Sequence, residues 1–308
     1  MLLPPRLLRP LSSFSSPLPH SLTRMFSFVN TLPANPGDCT PLSQVDTPAL
    51  VVPRKALHRN LKRMQDFVEQ HNKNQQKKVG AVTHLSYRPH TKTHKCPTLA
   101  KIQIEEYGAI GVCVQVLDEA QAMVDGGVLD VFVSNQIVGV NKITRLCELA
   151  KRGKISVIVD NMDNLTDIAA AAVRNGAHID VLIEVNAGQD RCGVEVTQEG
   201  GVSTCVQLAK TVLDCPQLSF KGIHCYHGGI QHTRKAEERR QQVLDGPVTR
   251  ANIAVSALEA EGIPVQVVTG GGTGTFPFES ASGRYTEIQP GSYCFMDVDY
   301  GDKEKKKN

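Results

Sequence analysis

Apolar, β-branched runs alternate with helix-like segments along most of this chain, and no other feature constrains its fold as tightly. The pattern predicts strands near residues 88–92, 109–114, 129–134, 155–160, 179–185, 219–226, 265–269 and 284–288. Between them, Leu117 to Asp125, Lys142 to Lys151, Asn164 to Arg174, Gly201 to Leu213 and Lys235 to Glu261 carry apolar residues at helical spacing, and Arg54 to His71 reads as a helix before the first strand. Runs such as Ile155-Ser-Val-Ile-Val and Val181-Leu-Ile-Glu-Val are apolar on both faces, so the sheet is covered on both sides and hence parallel. Eight such units predict an α/β (β/α)8 TIM-type barrel, with an open doubly wound sheet as the competing arrangement.

A barrel places its active site where strands end and loops begin, and polar residues fall there. His90 and Lys92 close the first strand, Gln115 follows the second, Ser134-Asn135 the third and Asp160-Asn161 the fourth. Glu184 to Arg191 ends the fifth, Tyr226-His227 the sixth and Thr269 to Thr275 the seventh.

Within Arg88-Pro-His-Thr-Lys-Thr-His-Lys95, strand alternation would put Arg88, His90, Lys92 and His94 on one face. A lysine crowded by cations loses its proton more readily, which makes Lys92 a candidate amine nucleophile for Schiff-base chemistry. After Val265-Gln-Val-Val, the turn Thr269-Gly270-Gly271-Gly272-Thr273-Gly-Thr275 can aim backbone N–H groups at an anion without a Cβ in the way. It is neither a Walker loop nor a dinucleotide fingerprint. A reactive amine and a phosphate cradle on one rim match pyridoxal 5'-phosphate, which needs both. The rival is a cofactor-free Schiff-base aldolase whose substrate carries the phosphate.

Arg191, on the glycine-flanked loop after the fifth strand, could pair with the cofactor's phenolate oxygen or simply bond loop carbonyls. Tyr226 lies in His224-Cys-Tyr-His-Gly-Gly229; alternation lets either His224 and Tyr226 or Cys225 and His227 face inward, and the period alone does not choose. Tyr226 and His90 are candidate proton carriers or orienting groups. His90, His94 and His227 lack the spacing of a closed metal site, so no metal ligands are assigned.

A net charge of +3, with 34 basic against 31 acidic residues, gives no electropositive surface of the kind nucleic acids select. No apolar run reaches the roughly 20 residues that span a bilayer, so neither nucleic acid nor membrane is an expected partner. The nine cysteines never occur as Cys-x-x-Cys and read as reduced thiols. Residues 1–37 contain no Asp or Glu, carry Arg6, Arg9 and Arg24, and are rich in Ser, Leu and Pro, the composition of a mitochondrial or chloroplast transit peptide. The alternative is a disordered extension of a cytoplasmic protein, with Met25 as an internal start. Residues 301–308 form a charged run predicted to be disordered.

Taken together, Arg88 to Lys95, Gly111-Val-Cys-Val-Gln115 with Glu119-Ala120, Ser134-Asn135, Arg191-Cys-Gly193, Tyr226-His-Gly-Gly229, Thr269-Gly-Gly-Gly-Thr273 and Glu287-Ile-Gln-Pro-Gly-Ser-Tyr293 resemble the pyridoxal-phosphate enzymes of the alanine racemase fold type. Within that type they are most similar to the D-threonine aldolase and D-serine dehydratase family. The resemblance implies a barrel of the alanine racemase N-terminal kind over 46–285, then the start of a C-terminal β-domain over 286–300, with most of that domain missing. It implies that Lys92, rather than Lys95, carries the Schiff base, that the glycine turn holds the phosphate, and that Arg191 and Tyr226 contact the cofactor. The implied activity is a lyase cleaving D-β-hydroxy-amino acids to glycine and an aldehyde. The alternatives are a D-serine dehydratase, a non-catalytic vitamin B6 carrier and, more weakly, a racemase. A divalent manganese or zinc ion is implied for the full-length family, with its ligands in the missing domain. Enzymes of this fold are usually dimers, so a homodimer is expected too.

Overall fold

The computed structural model describes residues 42–76 and 84–304. The chain divides into a leading unit, Met1–Ala49, whose described part holds the 3-10 turn Leu42–Gln44, and a second unit, Leu50–Asn308, that carries all the strands. The segment 1–37, read as a transit peptide, lies outside the described residues.

Eight parallel strands, β1 (Ser86–Tyr87), β2 (Val112–Val114), β3 (Asp130–Val133), β4 (Lys154–Val159), β5 (Ile179–Glu184), β6 (Leu218–His224), β7 (Val267–Gly270) and β8 (Glu287–Ile288), pair in the order β1-β8-β7-β6-β5-β4-β3-β2. A parallel bridge between His90 and Cys113 joins the first strand to the second and brings the ends of the sheet together. The TIM-type barrel expected from the eight-fold pattern is therefore the fold.

The first strand sits lower than 88–92. Pro89 has no N–H to offer on its β2 side, so pairing there thins to the single bridge at His90, and the chain turns into a 3-10 turn, Thr91–Thr93. Lys92 stands on that turn, just above the strand.

Outside the sheet, α1 (Arg54–Gln75) buries Leu57, Leu61 and Met64, one helical face, in a cluster with Tyr87, Ile288 and Tyr293. The helix α2 (Pro97–Glu105), absent from the sequence expectation, starts with Pro97 in its first turn. α3 (Leu117–Asp125), α4 (Val140–Ala150), α5 (Met162–Asn175) and α6 (Gly201–Leu213) lie within two residues of expectation at each end. The expected helix over 235–261 is divided into α7 (Ala236–Val243), a π turn at Leu244–Val248 and α8 (Thr249–Ala260). Pro247 inside that turn cannot make the helical i to i−4 bond, and the backbone widens around it. Inside the barrel, Cys113, Phe132, Ile158 and Leu182 form a separate buried layer from β2, β3, β4 and β5.

Two boundaries move. β8 pairs with both β1 and β7, so the barrel runs through Ile288 rather than ending at 285. After it, 289–300 holds the 3-10 turn Ser292–Cys294 and the start of a helix, Val298–Glu304, with no strand of a β-domain among the described residues. The charged run from Gly301 therefore begins as helix, and residues 305–308 lie outside the described part. A short helix, α9 (Phe276–Ala281), follows the glycine turn, and Val298–Glu304 is α10. No described helix is long and apolar enough to cross a membrane.

Candidate active site

The C-terminal rim of the barrel opens into a cavity of about 390 Å³ that Lys92, Arg191 and Tyr226 line together with Gly272 and Thr273 of the glycine turn. His90, Gln115, Ser134, His224 and Gln289 line it as well. Lys92 and Thr273, distant in sequence, thus share one space because strands 1 and 7 both end at it.

Lys92 is exposed at the cavity surface, and its Nζ lies 5.9 Å from the centroid of the Tyr226 ring. Burial of the amine among protein atoms lowers its pKa, opposed by Cys113 and Glu119 and helped by Arg191. The expected crowding by Arg88 and His94 is not the cause. Arg88 is buried in ion pairs with Asp130 (2.5 Å) and Glu287 (3.1 Å). His94 turns away to Gln103 (3.2 Å) and to the Cys96 N–H (3.0 Å) because the 3-10 turn ends strand alternation.

His90 is buried and its bonds fix its tautomer. Nδ1 accepts the Lys92 N–H (3.3 Å), so in the neutral ring Nε2 carries the hydrogen and donates it to Ser134 Oγ (3.3 Å). Ser134 in turn donates to the Val114 carbonyl (3.2 Å). Burial, reinforced by Lys92, His224, His94 and Arg191, holds the His90 pKa well below its ordinary value. Both ring nitrogens are occupied and the ring stays neutral, so His90 caps the turn that carries Lys92 and has no lone pair for a substrate proton.

Of the two possible inward pairs, His224 and Tyr226 face the cavity. Cys225 is buried behind them with its Sγ on the Pro247 carbonyl (3.5 Å), and His227 Nδ1 accepts the Ile230 N–H (3.2 Å). The rings of His224 and Tyr226 stack at 6.4 Å and 28°, and Arg191 Cζ lies 5.8 Å from the Tyr226 centroid. Burial raises the Tyr226 pKa, which keeps the phenol protonated at neutral pH.

Beneath the cavity a chain of buried bonds runs across the barrel, and its polarity is forced from one end. Glu287, paired with Arg88, accepts from Thr269 Oγ1 (2.7 Å); Thr269 then accepts from Gln289 Nε2 (2.8 Å). Gln289 Oε1 therefore faces His224 Nε2 (3.1 Å) as acceptor, and Nε2 carries a hydrogen. On the other side His224 Nδ1 hydrogen-bonds the Glu184 carboxyl. This consumes Thr269, expected to bind phosphate. Gly270 lies equally deep, since a Cβ there would stand 2.2 Å from the Cys225 carbonyl oxygen, and Gly271 backs onto the Glu279 carboxyl. Of the expected cradle, only Gly272 and Thr273 line the cavity.

The site therefore pairs an amine of lowered pKa with an arginine and a backbone turn that can receive an anion, a donor set that fits an aldehyde bearing a phosphate. Among the described residues, no group of three or more His, Cys, Asp or Glu could hold a metal ion. The eight described cysteines are all free thiols. Sequence reasoning missed Gln231, Gln289 and Glu279, which bear on the site; the polar Gln289 within the quoted Glu287-Ile-Gln-Pro motif was the available signal.

Residues 52–299 match the family model of the alanine racemase N-terminal domain, and the chain belongs to that family. It is 42% identical over 272 residues to a D-threonine aldolase of Arthrobacter sp., covering 88% of this chain and 66% of that protein. It is 40% identical over 271 residues to a 3-hydroxy-D-aspartate aldolase of Paracoccus denitrificans (strain Pd 1222), covering 88% and 65%. The crystal structure of D-threonine aldolase from Filomicrobium marinum superimposes with a TM-score of 0.74 at 38% identity, covering 85% of this chain and 66% of that one. The chain thus spans about two thirds of the length of these relatives.

Proposed function

We propose that this chain is the cofactor-binding barrel of a pyridoxal-phosphate lyase that cleaves D-β-hydroxy-amino acids to glycine and an aldehyde, in the manner of a D-threonine aldolase. The observation that carries the reading is the meeting of Lys92 and the Gly272–Thr273 turn in one cavity of about 390 Å³. The similarity to aldolases of D-threonine and 3-hydroxy-D-aspartate supports the substrate class. When bound, pyridoxal phosphate supplies an electron sink for the charge left as a bond to the amino acid's α-carbon breaks.

Each residue has a part in this reading. Lys92 supplies the amine that binds the aldehyde, with its lowered pKa leaving more of it unprotonated. Gly272 and Thr273 receive the phosphate, and Arg191 pairs with an anionic oxygen of the ring. Tyr226 keeps its proton and orients the ring by contact rather than acting as a base. His90 holds the Lys92 turn in place.

The deciding experiment incubates the purified chain with pyridoxal phosphate and D-threonine or D-serine, with manganese or zinc added. Glycine and acetaldehyde support the aldolase, and an oxo acid with ammonia would replace it with a dehydratase. Bound cofactor with neither product would leave a vitamin B6 carrier. For residues 1–37 we propose organelle targeting, supported by the absence of acidic residues; a fluorescent fusion of that segment that stays in the cytoplasm would refute it.

A further inference from the structure

Gln231 is buried on the 3-10 turn Gly229–His232, which follows Tyr226, and its amide is bonded into the glycine turn at two places. Oε1 accepts the Gly274 N–H at 2.8 Å, while Nε2 donates to Thr275 Oγ1 at 2.7 Å and to the His227 carbonyl at 3.3 Å. Thr275 Oγ1 also accepts the Gly272 N–H at 3.2 Å, so the amide reaches that glycine through the threonine hydroxyl. A Cβ on Gly272 would stand 2.6 Å from Gln231 Oε1, which shows how closely turn and amide are fitted.

The two ends of the amide do opposite work. One must accept from a backbone N–H and the other must donate to a hydroxyl oxygen, a combination that an amide supplies and that a carboxylate or a thioether lacks. The turn carries four glycines within seven residues, and without such a brace it would have to be ordered by its ligand at a cost to affinity. With the brace, Gly272 and Thr273 already form cavity wall.

We infer that Gln231 is a positioning residue that holds the glycine turn in its anion-receiving shape, so that a phosphate monoester binds there without first ordering the loop. The inference rests on the cofactor reading above, and the test separates the two.

The experiment compares binding of pyridoxal phosphate and of pyridoxal, which lacks the phosphate, to the full chain and to Gln231→Met, which keeps the volume but neither bond. The phosphorylated form should weaken by roughly tenfold, the loss expected for one or two buried hydrogen bonds, while pyridoxal should stay within about twofold. An unchanged ratio between the two compounds overturns the inference, as does equal weakening of both. Gln231→Glu, nearly isosteric, keeps the acceptor for the Gly274 N–H but cannot donate to Thr275 when ionised, and should lower the ratio as well. Inorganic phosphate supplies the arm that does not need Lys92. It should raise the melting temperature of the wild-type chain and leave that of Gln231→Met unmoved, and equal shifts would refute the brace. If Lys92→Ala binds pyridoxal as well as wild type does, the cofactor reading fails while the phosphate comparison still decides Gln231.

Discussion

Glu279 sits behind the glycine turn, almost completely buried, with one carboxyl oxygen that has no hydrogen-bond partner and the other side bonded by Thr275. Burial pushes its pKa from an ordinary 4.5 up to about 7. The folded state therefore holds a proton that the unfolded chain gives up earlier. Its contribution to stability is complete below about pH 4.5 and is lost as pH rises to about 7, amounting to about 3 kcal/mol. Glu279→Gln keeps the acceptor for Thr275 and removes the titration. Denaturant unfolding from pH 5 to 8 should show the variant gaining on wild type as pH rises, and parallel curves would contradict this. His90 makes a second prediction at this scale. If its ring only caps the Lys92 turn, His90→Asn, which can accept the same N–H, should leave the pH dependence of Lys92 reactivity in place, whereas a proton carrier would take that dependence with it.

Among the elements, the first strand shows what was legible in the sequence and what was not. Period-two alternation correctly turned Arg88 and His90 to the same side, and apolar runs located the buried middle strands, which must be apolar on both faces, while the first strand, Ser86–Tyr87, lies below the expected 88–92. Alternation failed at His94, where Pro89 and the cap at His90 have ended the strand, although Lys92 on the 3-10 turn still lines the cavity with His90. The direction of Arg88 was readable but not its partners, since Asp130 and Glu287 lie far away in sequence and meet it only through the sheet order. The partner of Thr269 was hidden for the same reason: its hydroxyl is claimed by Glu287 on the neighbouring strand. Arg88→Met should therefore leave two carboxylates without their shared cation and cost about 3–5 kcal/mol, read from the urea midpoint. Gly270→Ala, whose methyl group would stand 2.2 Å from the Cys225 carbonyl oxygen, should force β6 and β7 apart and cost about 1–3 kcal/mol.

For the molecule as a whole, barrel closure does the functional work, because it brings the turn after strand 1 and the turn after strand 7 to one rim. The family match over 52–299 agrees with that architecture, and the chain covers 66% of the Arthrobacter relative. Whether turnover accompanies binding is a separate question from whether the rim holds the cofactor, and the latter is the central claim. Its most direct measurement is borohydride reduction of the chain incubated with pyridoxal phosphate, followed by peptide mass spectrometry. The account predicts a phosphopyridoxyl group on Lys92, absent from Lys92→Ala and not moved to Lys95. Label on another lysine, or equal labelling of wild type and variant, would contradict it.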